Sequence, residues 1–188
     1  MGTRVRMDGK WPVAQYSSWD GHPTGNGLEL HKFLRIEGNV ARLRAGLAHV
    51  FEPTEFLSAI PRGEVGDAAI RSYLRMFDLS TEMFPSLSRN TGGKILELIA
   101  NADAQHRLPI KLDLEFASDS FHYEWAYIVD MDEKRLKIFG VRDITHEGHH
   151  FSYAGDWLEV PKLLLSFTFA ELQSWDEQEF RRRVQDYY

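Results

Sequence analysis

The chain has 188 residues, 43% of them apolar and 27% charged, with a net charge of −6. That composition describes one globular domain, 1–188, and excludes a disordered chain. There is no Cys, no run of eighteen apolar residues and no basic stretch leading into an apolar leader, so a disulfide scaffold, thiolate chemistry, a membrane-spanning helix and a secretory signal are all excluded.

Thr3 to Met7 and Lys10 to Tyr16 alternate like strands, with Asp8-Gly9 between them. Asp-Gly at that place predicts a β-hairpin, because a type I′ turn needs positive φ at both central residues. Pro12 has no amide proton, so its strand belongs at an edge or faces away from a partner. Ser17 to Gly27 holds three Gly and one Pro in eleven residues and reads as a structured loop. A helix follows from Leu28, with Asn26 as its expected N-cap, Glu29 as the reciprocal partner and Gly38 as its stop. Asn39 is expected to cap a second helix carrying Val40, Leu43, Leu47 and Val50, which Pro53 ends. A short turn of helix is expected over 54–60 and a further helix after Asp67. Residues 80–90 read as a loop, and Thr91 as the cap of a helix through Ile99.

The texture changes after Pro109. Ile110, Leu112, Leu114 and Phe116 alternate with charged residues, which predicts a half-buried strand. Tyr123 to Met131 reads as a more buried strand, residues 132–134 as a turn, and Arg135 to Phe139 as the returning partner. A short strand is expected at 151–153. Lys162 to Leu172 reads as strand, and Ser174 with Glu177 as the capping box of a terminal helix. The fold class is therefore α+β: an antiparallel sheet that includes the N-terminal hairpin, a helical segment inserted before the later strands, and a C-terminal helix. Such a domain, without leader or anchor, is expected to be soluble and cytoplasmic.

Chemistry has three candidate locations. The first is the loop from Trp19 to Gly27. It leaves a strand and enters a helix, where free amides and the dipole form an anion site. Gly21, Gly25, Asn26 and Gly27 would let a ligand approach the backbone, and Asp20 and His22 could move protons. The competing reading makes the glycines a device for positive φ and Asp20 a turn cap. The spacing matches neither the dinucleotide fingerprint nor the P-loop.

The second is His146-Glu147-Gly148-His149-His150, which spells H-E-x-x-H. That motif binds zinc only on a helix, and its flanks lack helical periodicity. An exposed loop is the expectation, with no metal and no cofactor. The third is Ser86 to Lys94, whose Gly92-Gly93-Lys94 suggests phosphate cradling but lacks the remaining P-loop residues; an ordinary Thr cap competes with it. Arg89 lies in this stretch. Residues Tyr123, Trp125 and Tyr127 share one face, as a core wall does. Short basic groups at Arg42 and Arg44, Arg71 and Arg75, and Arg181 to Arg183 read as solvated helix faces. With the acidic balance they argue against non-specific nucleic-acid binding.

Several of these segments together resemble one family. Met1-Gly2-Thr3-Arg4, then Tyr16-x-x-Trp19-Asp20-Gly21-x-Pro23-x-Gly25-x-Gly27, Pro85 to Gly92 and Glu124 to Asp130 are similar to a family of small proteins widespread in bacteriophages. The family also occurs in bacteria and some fungi. Where this chain has His22, the family has Tyr. No general activity is attached to the family, so the resemblance names the motif and supplies no mechanism. It implies that Arg4, Asp20 and Glu124 are positions to test together. Separately, the hairpin itself is expected to bring Arg4 within reach of Asp20, as a charge pair that serves structure as readily as catalysis. Two functions are therefore expected. One is a phage-type accessory protein that binds a host macromolecule, such as a host enzyme or defence protein, or a small anionic ligand. The other is a hydrolase or transferase for a phosphorylated or nucleotide-like substrate. Its catalytic groups would be Asp20, His22 and Glu124, with Arg4 and Arg89 holding the ligand.

Overall fold

The computed structural model describes residues 2–17, 21–52, 84–114, 125–145 and 160–187. The expected helices at 54–60 and after Asp67, the strand at 151–153, the histidine cluster 146–150, Asp20 and Glu124 lie outside the described residues.

The N-terminal hairpin forms as the sequence predicts. β1 (Gly2–Met7) and β2 (Lys10–Tyr16) pair antiparallel around Asp8 and Gly9, whose φ values are 52° and 71°. β5 (Trp125–Asp130), β6 (Arg135–Thr145) and β7 (Val160–Thr168) complete a five-stranded sheet in the order β2-β1-β5-β6-β7. β2 is an edge strand, which is where Pro12 costs no ladder bond. The sheet is antiparallel except at one seam, where β1 runs parallel to β5 and places Thr3 beside Tyr127 and Arg4 beside Ile128. A short parallel pair, β3 (Val50–Phe51) with β4 (Leu108–Pro109), stands apart.

α1 (Leu28–Leu34), α2 (Asn39–Gly46) and α3 (Ile95–Ala100) follow the predicted periodicity, but α2 stops at Gly46 and does not run on toward Pro53: Leu47–His49 tightens into a 3-10 turn, and Val50 pairs in β3 with Leu108. Their apolar residues join one face of the sheet, where Val5, Val13, Tyr127, Val129, Leu136 and Ile138 are buried with Leu30, Phe33, Leu43 and Ile99. α4 (Phe169–Ser174) and α5 (Glu177–Val184) close the same core with Phe169, Leu172, Phe180 and Val184. The opposite face has a small cluster of Ala14, Ala126, Ile128 and Phe139, packed by Trp11, Tyr16, Leu112 and Leu114. The alternation of each strand decides which side chain goes to which face. α2 and α3 cross so closely that a Cβ on Gly46 would stand 1.8 Å from the Ile99 carbonyl oxygen.

Several local expectations are corrected. Residues 110–114 form no ladder; only Leu108–Pro109 is strand, and the Asp113 amide instead bonds the Ala14 carbonyl at 2.7 Å. The alternation is real, since it lays Leu112 and Leu114 on the second face. The run from Lys162 to Leu172 is strand only to Thr168, which opens α4 with a capping box to Glu171. α5 is capped by Asp176, whose carboxylate accepts the Glu179 amide at 2.8 Å; Ser174 ends α4 instead. Neither Asn39 nor Thr91 caps through its side chain. Gly38, at φ 89°, precedes α2 as a left-handed hinge. Among the described residues no helix is long and apolar enough to cross a membrane.

A carboxylate cluster joins the hairpin turn to the β5–β6 turn. Asp132 accepts the amides of Asp8 and Gly9 at 2.8 and 3.0 Å. Asp130 is fully buried and meets Lys137 at 3.1 Å and Arg6 at 3.2 Å, and accepts the amides of Asp132 and Glu133. Burial alone would raise the Asp130 pKa, but the Glu133 amide, Lys137 and Arg6 outweigh it and hold the group below the ordinary carboxylate value. A depressed carboxylate stabilises the fold above its unfolded value of about 3.9 and loses that contribution as the pH falls through the folded value. Asp130→Ala leaves the buried Lys137 ammonium without this partner. Chemical denaturation at pH 7 should show a loss of about 3–5 kcal/mol, and most of the difference from the unsubstituted protein should vanish under strongly acid conditions.

Candidate functional site

The glycine-rich loop turns into α1 through one wide π-helical turn, Pro23–Gly27. Pro23 opens it with a fixed φ, and His22 before it is extended. Gly25 and Gly27 return their amides to the His22 carbonyl at 2.9 and 3.5 Å. Gly27 is right-handed, with φ −57° and ψ −42°. The expectation that this glycine exists for positive φ is therefore corrected. Its reason is space: a Cβ there would lie 3.2 Å from Cε1 of Tyr127. The Tyr127 hydroxyl in turn donates to the Gly21 carbonyl at 2.7 Å.

Asn26 does not cap α1. Its side-chain oxygen accepts the Gly93 amide at 2.6 Å, joining the first candidate loop to the third. Gly92, at φ +54°, could not carry a side chain in this contact, because a Cβ would meet the same oxygen at 2.1 Å. The two glycine-rich stretches thus make one junction. Asn26 supplies an oxygen to an amide in the turn leading to α3, where a bound anion would otherwise offer one.

The remaining candidates are dispersed over the sheet. Arg4 is fully buried on the second face, donates to the Leu114 carbonyl and lies over the Trp11 ring at 5.6 Å. Arg89 is exposed and stacks over Tyr16 at 5.2 Å. His22 is half-buried, with Nδ1 3.0 Å from the Thr24 hydroxyl oxygen and its ring edge-on to Trp125. Arg4 and His22 flank the sheet from opposite sides, since Trp125 belongs to the helix-covered core and Arg4 sits beside Ile128 of the other cluster. The proposed Arg4–Asp20 pair involves a residue outside the described ones, as does Glu124.

Three further polar groups sit beneath this junction. Gln15 donates to the carbonyls of Ser86 and Ser88 at 3.0 and 3.1 Å, and Ser86 donates to that of Pro109 at 2.6 Å. Thr3, paired with Gln15 in the hairpin and with Tyr127 across the parallel seam, is 1% exposed. Gln15 and Ser86 tie the Pro85–Leu87 turn to the sheet and to Pro109. Ser86 opened the third candidate stretch, whereas Thr3 and Gln15 carried no motif, and only the placement of alternate hairpin residues on the helix-covered face could have pointed to them. Among the described residues no group of three His, Asp or Glu side chains could hold a metal ion. β6 runs in strand conformation to Thr145, directly before the H-E-x-x-H residues.

No family model, curated protein or solved structure matches the chain.

The junction makes a stability claim. Asn26→Ala strips the buried Gly93 amide of its acceptor and should cost about 1–3 kcal/mol in urea denaturation. Arg89→Ala removes an exposed cation–ring contact and should cost no more than about 1 kcal/mol. Equal losses for the two variants would show that the junction is not a structural tie.

Proposed function

We propose that this protein is a phage-type accessory protein that acts by binding a macromolecule of the host cell. One observation supports the reading above the others: the described part of the glycine-rich loop is spent on internal contacts. Gly25 and Gly27 return to His22, Asn26 reaches Gly93, and Gly27 fits against Tyr127. A loop built to cradle phosphate aims its amides outward at the ligand. Here the acceptor oxygens come from the chain itself, which favours recognition through the outer surface over chemistry in the loop. The resemblance to a phage-borne family supplies the kind of partner. Cytoplasmic action belongs to the same reading.

The test combines affinity capture with a ligand screen. Immobilised protein is exposed to native host lysate, with Asp20→Ala and His22→Ala beside it. The same specific partner should be retained by all three, and inorganic phosphate and nucleotides should leave the melting temperature unchanged. A thermal shift with phosphate or a nucleotide that disappears in Asp20→Ala, with no partner captured, overturns this reading in favour of an anion site at the Asp20/His22 loop, and turnover of the phosphorylated ligand there would then mark a hydrolase or transferase.

A further inference from the structure

His31 occupies an unusual place. It lies in the middle of α1, is fully buried, and its ring stacks on Phe180 of α5 with centroids 4.6 Å apart and planes 12° from parallel. The backbone of Leu172 and of Trp175 approaches the ring, yet among the described residues neither ring nitrogen has a hydrogen bond of normal geometry. A neutral imidazole tolerates this setting poorly and an imidazolium tolerates it worse, because a buried cation needs partners for both N–H groups.

The ring is also the centre of a docking seam. α4 and α5 both pack on α1, and α5 packs on the Pro23–Gly27 turn as well. The pair is held by Phe169 and Leu172 on α4, Phe180 and Val184 on α5 and Trp175 between them, with Trp175 and Phe180 edge-on to Phe167 of β7. Both helices are short and terminal, and elements at a chain end can open locally before the fold unfolds as a whole. One polar tie crosses the seam, Lys32 to Glu177 at 3.9 Å, and Lys32 is shared with Glu29 at 3.0 Å.

We propose that His31 is a protonation-controlled latch: when its ring takes up a proton, α4 and α5 leave α1 and uncover the Pro23–Gly27 turn. Arg35 on α1 opposes the imidazolium, and Glu177 on α5 favours it, as do the Leu172 and Trp175 backbone groups at the end of α4. The Phe180 face also attracts a cation. Burial is the largest influence and keeps the pKa below the ordinary histidine value. A lowered histidine pKa means that the folded contact is fully stable above about pH 6.5 and loses stability as the pH falls from there toward the folded value. Two carboxylates of the same unit are held in the charged form. Arg182 and Arg183 pull Glu179 down to about 2, and Thr168 holds Glu171 below its ordinary value.

The experiment is hydrogen exchange by mass spectrometry on the full chain at pH 7.5 and pH 5.0, corrected for intrinsic exchange. Residues 169–187 should lose about tenfold or more in protection at the lower pH, relative to residues 125–139 of the sheet. His31→Phe keeps the aromatic stack and cannot be protonated, so its C-terminal protection should be the same at both values. Unchanged protection in the unsubstituted protein, or equal opening in His31→Phe, overturns the latch. Should His31→Phe fail to fold, the imidazole resonance of His31 in the unsubstituted protein is followed by NMR. Its titration midpoint must coincide with the opening of α4 and α5; titration with the helices still protected also overturns the proposal.

Discussion

The contact between Asn26 and the Gly93 amide ties the two glycine-rich turns to each other. It joins two turns that are 67 residues apart in sequence, each of which leads into a helix. Gly92 and Gly93 are needed because Asn26 and the backbone of α1 come too close for a side chain. Gly27 lets the same turn lie close against Tyr127, where a Cβ would come within 3.2 Å of the ring, and Tyr127 holds Gly21. Glycines that suggest openness to a ligand therefore do the opposite here. They permit backbone to approach backbone, which is the other use of a missing Cβ. The functional account follows from that substitution of roles.

The sheet beneath explains why such a junction can be held. On its helix-covered face Thr3, Gln15 and Tyr127 line up across three adjacent strands among buried apolar residues. Its other face carries Arg4, Arg6, Asp130 and Lys137, in register on β1, β5 and β6. Buried charges stay charged only when paired and hydrogen-bonded. Asp130 meets that condition through two cations and two amides, and Asp132 extends the network to the hairpin turn. The carboxylates near Met7 thus clamp one end of the parallel β1–β5 seam, and the Tyr127–Gly21 bond ties β5 to the loop that follows β2.

Local signals in the sequence proved readable where the physics was local. Asp8-Gly9 turned where two positive φ values were needed, and Pro12 marked an edge strand. The helix periodicities of α1, α2 and α3 were visible for the same reason. Signals failed where distant partners competed. Asn26 had the type and spacing of an N-cap, but the Gly93 amide claimed its oxygen. Ser174 and Glu177 spelled a capping box, while Asp176 and Glu179 two residues on spelled another, and the second pair won. Thr168 and Glu171 carried the same signal and were hidden inside an apolar run that reads as strand. The alternation after Pro109 reported burial on one side correctly and strand pairing incorrectly, since period two says nothing about who supplies the ladder. Nothing local announces that β1 pairs parallel with β5, or that His31 is stacked on a ring from the far end of the chain.

The glycine-rich junction is closed by the chain's own oxygens and amides. The most direct measurement is NMR of the Gly25, Gly27 and Gly93 amides, first for exchange with solvent and then during titration with inorganic phosphate and nucleotides. A closed junction predicts slow exchange for the Gly93 amide, comparable to the buried strand amides of β5, and no shift of the three resonances with either ligand. Fast exchange at Gly93, together with saturable shifts on adding phosphate or a nucleotide, would contradict it and return the chemistry to the loop.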